Sequence, residues 1–170
     1  MQLRELAAPA RVEGTMKGDL NGLPQMMALL QQFGADIGCT PAGPPVLRFT
    51  HLADAVDSIT PQTEVYIPVT ADEGMPEGGE GVAIVRTVPC RVASRMVHGS
   101  LLHPLPELLE LKQWAEAQNL KLGATPGAIL HTPDAPLDNQ QFELFYPILP
   151  NSPLPSGTYS LCSPPIGATP

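Results

Sequence analysis

The chain has 170 residues, 43% of them hydrophobic, with 9 Lys and Arg against 17 Asp and Glu. That length buries a sizeable core in one domain, the mean hydropathy of +0.02 is ordinary for a soluble globular protein, and no apolar run approaches the ~18 residues of a spanning helix. A formal net charge of -8 repels phosphate backbones, so neither a nucleic-acid nor a membrane partner is expected. The first residues, MQLRELAAPARVEG, carry charges where a signal peptide has its apolar stretch, and the expectation is a cytosolic protein. Cys39, Cys90 and Cys162 are odd in number and widely spaced, which reads as reduced thiols. His51, His98, His103 and His131 are scattered, so neither a metal site nor a cofactor is expected.

In chain order, a strand is predicted over Arg11 to Lys17, followed by a helix from Leu23 to Phe33 with Pro24 in its first turn. Gly34 and Gly38 mark the predicted helix exit. GPPVLRFTHL, ending at Leu52, holds a second strand, and TEVYIPV is a third. A glycine-rich acidic linker, DEGMPEGGE, precedes an extra strand over Gly81 to Val88. Then come a strand over Arg91 to His98, a helix over Pro106 to Gln118, and strands in AILHT and FELFYPI. The tail LPNSPLPSGTYSLCSPPIGATP is rich in Pro, Gly and Ser. It is expected to pack through Leu154 and Tyr159, on its own domain or on a second copy in a homodimer.

The order of elements repeats. Arg11 and Val12 in the first half answer Arg91 and Val92 in the second. Leu-Pro pairs open both helices, and Phe33 and Trp114 stand near their ends. Glu64, Tyr66 and Pro68 recur with the same spacing as Glu143, Phe145 and Pro147. Strand side chains alternate between faces, so Val65, Ile67 and Val69, with Leu144, Tyr146 and Ile148, form the apolar face that the helices cover. Glu64, Tyr66, Glu143 and Phe145 share the other face. A two-fold relation between the halves brings them toward one concave surface, where carboxylates among aromatic rings suit a lipophilic cation. The alternative is a solvated face on which each glutamate pairs with Lys or Arg across strands. Core packing competes with a ligand role for Phe33 and Trp114, as it does for Met26, Met27 and Met96, whereas His98 alternates with Met96 and Ser94 and so shares a face with them.

The repeat, the PAGPPVLRF segment, the EVYIPV strand, the single helix tryptophan and the FELFYPI end together resemble the gyrase-inhibitor-like effector-binding family over Leu6 to Leu149. The resemblance implies an α+β fold of two pseudo-symmetric strand-helix-strand-strand repeats, about 8–70 and 81–149, in a domain over 1–150 with an extension over 151–170. It implies an antiparallel sheet with helices on one face and a ligand cleft on the other. It implies sequestration or sensing of bulky aromatic, often cationic compounds, with hydrolysis of a reactive natural product or inhibition of a protein partner such as gyrase as alternatives. The ligand-binding residues expected are Glu64, Tyr66, Glu143, Phe145, Trp114, Met96, His98 and Phe33, with none catalytic. Two departures stand out. Val97 to Leu101 replace a His-x-Gly-x-Tyr pattern, and Gly127, Ala128 and Ile129 replace a Glu-x-Tyr pattern, so an acid usually central to the cleft is missing.

Overall fold

The computed structural model describes residues 1–6, 10–50, 62–70, 82–86 and 88–150. His51, Leu52, the DEGMPEGGE linker and the Pro-rich tail beyond Pro150, with Leu154, Tyr159 and Cys162, lie outside them. Among the described residues, the strands are β1 (Gln2–Leu6), β2 (Ala10–Lys17), β3 (Thr40–Pro41), β4 (Val46–Phe49), β5 (Gln62–Thr70), β6 (Val82–Arg86), β7 (Cys90–Gly99), β8 (Gly127–Leu130) and β9 (Gln140–Pro147). The helices are α1 (Leu23–Asp36) and α2 (Leu105–Ala117).

All nine strands join one sheet in the order β1-β7-β9-β8-β4-β5-β2-β6, with β3 beside β5, and every pairing is antiparallel. The order reads the same from either end once each element is replaced by its repeat counterpart. β4 and β8 meet in the middle through Val46 opposite Ile129, Leu47 opposite Ala128 and Arg48 opposite Gly127. β1, which the sequence pattern does not announce, pairs with β7 of the second half, whereas β6 pairs with β2 of the first.

Each helix begins with a proline in its first turn, where the missing N–H has no intrahelical partner to lose. Gly34 does not end α1: the helix continues through it and closes at Gly38, whose φ is 80°. There Gly38 N–H donates to the Ala35 carbonyl and Cys39 N–H to the Gly34 carbonyl. α2 ends on the same motif, with Asn119 at φ 59° donating to Glu116 and Leu120 donating to Ala115. Both helices lie on one sheet face. Met27, Leu30 and Gly34 of α1, like Leu108, Leu111 and Ala115 of α2, are buried there against Val65, Ile67, Leu144 and Phe142.

The register corrects one alignment. Arg11 stands opposite Pro68, but it is Val92, not Arg91, that stands opposite Pro147. Val46, opposite Tyr66, likewise corresponds to Gly127, opposite Phe145. The true correspondence over these strands is therefore one position beyond the one that the Arg-Val dipeptide suggests, and the shared dipeptide is a coincidence of composition. A one-residue slip turns a strand over, so Arg11 faces the open side of the sheet while Val12 and Ala93 enter the core beneath the helices.

Candidate functional site

The face opposite the helices curls around a cavity of about 690 Å³. Its floor belongs to a second apolar cluster, separate from the main core, made of Val46, Tyr66, Val92, Ile129 and Phe145 with Leu6 packed against them; all but the fully buried Val92 line the cavity. These residues come from six strands of both halves. Strand alternation explains their convergence: Tyr66 and Phe145 stand on the positions that leave Val65, Ile67 and Leu144 to the helices.

The two carboxylates share this face but differ in setting. Glu64 is 31% exposed, and Arg48, directly opposite it on β4, places Nη1 3.2 Å from its Oε2. Glu143 is only 2% exposed. Its counterpart of Arg48 is Ile129, and its charge is met instead by Arg4 of β1, whose Nη2 lies 2.8 Å from Oε2. Gln2 donates to Oε1 at 3.4 Å, and His131 Nε2 lies 3.7 Å from Oε2. Both acids are thus internally neutralised by arginine, the cross-strand alternative to a cation site. Arg4, Arg48 and His131 line the cavity, whereas neither glutamate does.

Arg11 lines the cavity as well, with its guanidinium carbon 4.6 Å from the centre of the Tyr66 ring and its Nε donating to Glu13 at 2.7 Å. Burial pushes the Tyr66 hydroxyl pKa up, while Arg11 and Arg48 pull it part of the way back. Cys90, an exposed free thiol on the cavity wall, is likewise raised by burial and lowered by Arg48 and Arg11.

Gly127, which stands where the sequence resemblance leads one to expect a glutamate, leaves no room for a side chain. A Cβ there would stand 2.4 Å from the Leu47 carbonyl oxygen and 2.4 Å from Cζ of Phe145. Any side chain at this position would have to displace the Phe145 ring and the Leu47 carbonyl.

Of the expected site residues, Tyr66 and Phe145 line the cavity. Glu64 and Glu143 stand behind lining arginines. Met96 and His98 lie on the same sheet face, but Met96 is 50% exposed opposite Glu143, and neither lines the cavity. Phe33 and Trp114 are not brought to the cleft: they pack against the main core on the helix side, since a covering helix lies across the sheet from the cleft. Arg4, Arg11, Arg48 and His131 are lining residues that the sequence reading misses. Arg48 opposite Glu64 is accessible to a register argument, but Arg4 is not, because nothing local announces that β1 pairs with β7.

No protein-family model and no curated protein matches the sequence. Among solved structures the chain is similar to the C-terminal domain of EcmrR, with a TM-score of 0.70 and 11% identity over 86% of this chain and 95% of that one. It is similar to an uncharacterized conserved protein from Listeria innocua at a TM-score of 0.62 and 16% identity, over 87% of this chain and 92% of the other. A hydrolase from Listeria innocua gives a TM-score of 0.55 and 14% identity over the same shares, 87% and 92%. The fold is that of the gyrase-inhibitor-like domains, as the sequence resemblance implied. No helix among the described residues is long and apolar enough to cross a membrane, and none of their His, Cys, Asp and Glu side chains cluster as a metal site would require.

Proposed function

We propose that the chain binds a bulky aromatic small molecule in the cleft between its halves and acts by holding it, as a sequestering or sensing module. The observation that carries this reading is the second apolar cluster. The sheet face opposite α1 and α2 carries Tyr66, Phe145, Ile129 and Val46 around a cavity of about 690 Å³, within the size range of ligand sites. Tyr66 and Phe145 are the proposed ring contacts. Paired as they are with arginines, Glu64 and Glu143 hold the walls in place rather than receive a cation.

Thermal unfolding in the presence of bulky aromatic compounds tests this. A native-state ligand at a hundred times its Kd adds about 2.7 kcal/mol. Location is read from Cys90, since a compound in the cleft slows its alkylation, followed by mass spectrometry of its peptide. Stabilising compounds that leave Cys90 alkylation unchanged bind elsewhere and sink the cleft assignment.

Hydrolysis of a bound compound is a second reading, favoured by one contact: His131 on the cavity wall beside buried Glu143, a base next to an orienting acid. One structure of the same fold is described as a hydrolase. Conversion of a bound ester by wild type and not by His131→Gln supports this reading, and unchanged mass of every bound compound removes it.

A further inference from the structure

The cleft is symmetric in backbone and asymmetric in charge. Arg11, opposite Pro68, corresponds to Val92, opposite Pro147; Arg48, opposite Glu64, corresponds to Ile129, opposite Glu143. Each of these cleft arginines of the first half is thus answered by an aliphatic residue in the second; both belong to the second apolar cluster, Ile129 on the cavity floor and Val92 buried beneath it. From β2 and β4, the two arginines flank Tyr66.

We propose that the ligand is an aromatic acid, bound with its ring system on Ile129 and Phe145 and its anionic group toward Arg11 and Arg48. This rests on the binding reading above and gives it a ligand class and a direction.

The donor count supports it. A guanidinium offers five N–H donors; Arg11 uses its Nε on Glu13 and a further donor on the Tyr66 hydroxyl, and Arg48 uses one Nη1 on Glu64. Their carboxylate partners, Glu13 and Glu64, are 26% and 31% exposed, so water already shares in balancing those charges. Arg4 differs, because its partner Glu143 is buried. Guanidinium planes bind carboxylate, sulfonate or phosphate in a forked geometry, whereas a ligand cation would meet, among the described residues, three lining arginines and one lining carboxylate, Glu5. The net charge of -8 opposes an anion at a distance, but salt screens that field beyond about 8 Å while the contacts inside the cleft persist.

Fluorescence titration with pyrene-1-carboxylate, its carboxamide and its methylammonium analogue separates charge from shape. The wild-type chain is compared with Arg48→Gln/Glu64→Gln and Arg11→Gln/Glu13→Gln, which remove each cation together with its counter-ion. Expected is a carboxylate bound about tenfold tighter than the ammonium compound, and weakened about tenfold in either double variant, as loss of one charge-assisted hydrogen bond requires. The carboxamide should change less than about threefold, which also reports that the cleft still folds. Ammonium binding as tight as carboxylate binding, or equal losses for carboxylate and carboxamide, overturns the charge assignment and leaves the binding reading intact. Failure of all three compounds to bind the wild-type chain overturns the binding reading itself.

Discussion

The halves of this sheet show how far a repeated backbone constrains what its side chains do. In the first half, β4 supplies Arg48 to meet Glu64 where water also reaches, and Tyr66 stands under Arg11. In the second, Ile129 takes the place of Arg48, and the equivalent acid is buried and met from β1. Phe145, the counterpart of Tyr66, lies against Gly127 instead of under a cation. Symmetry places the floor of the cleft, and departures from symmetry put Arg11 and Arg48 on its first-half side where the second half has Val92 and Ile129.

The sharpest way to break this comparison is to remove the two acids in turn. Glu143→Ala leaves Arg4 without its buried partner and should cost about 3 kcal/mol in urea unfolding. Glu64→Ala, at a half-solvated pair, should cost less than about 1 kcal/mol. Equal losses would mean that the two environments are alike after all. Next in size is Gly127→Ala, which drives a methyl against the Leu47 carbonyl and the Phe145 ring and should destabilise by about 2 kcal/mol. Adding Phe145→Leu should return part of that loss, and a purely additive double variant would show that the ring is not the obstacle.

The smallest effects are alkaline. The Tyr66 and Cys90 pKa values are raised from ordinary values of 10.0 and 9.0, so the folded chain holds these protons after the unfolded chain has released them. Their contribution is whole below those values and is lost as pH rises through and beyond them. Tyr66→Phe should flatten the decline of the urea midpoint above about pH 10. Cys90 should be alkylated more slowly at pH 8 than an unstructured peptide thiol, because less of it is thiolate. Alkylation at the peptide rate would place Cys90 in a different environment from Tyr66.

The architecture is legible in the sequence because period and punctuation are local. The recurrence of Glu64, Tyr66 and Pro68 as Glu143, Phe145 and Pro147 puts β5 and β9 on equivalent positions and sorts their faces correctly. The Arg-Val match misleads because two residues carry too little pattern to fix a register. The partners of the carboxylates are harder to read. Arg48 becomes visible only when β4 is laid against β5, and Arg4 only when a five-residue strand at the start of the chain is known to cross to the far half. Phe33 and Trp114 invite a ligand role because they are aromatic, yet the helices that carry them lie on the other side of the sheet.

The placement of β1 and β6 has a consequence for how firmly the halves are joined. Each is the leading strand of its own repeat, and each pairs with the first long strand of the other repeat. β1 and β6 are also the outer strands of the sheet, so each half ends in a strand lent by the other. The halves are therefore clasped at both edges as well as along the central β4–β8 seam, and separating them would break three strand pairings at once.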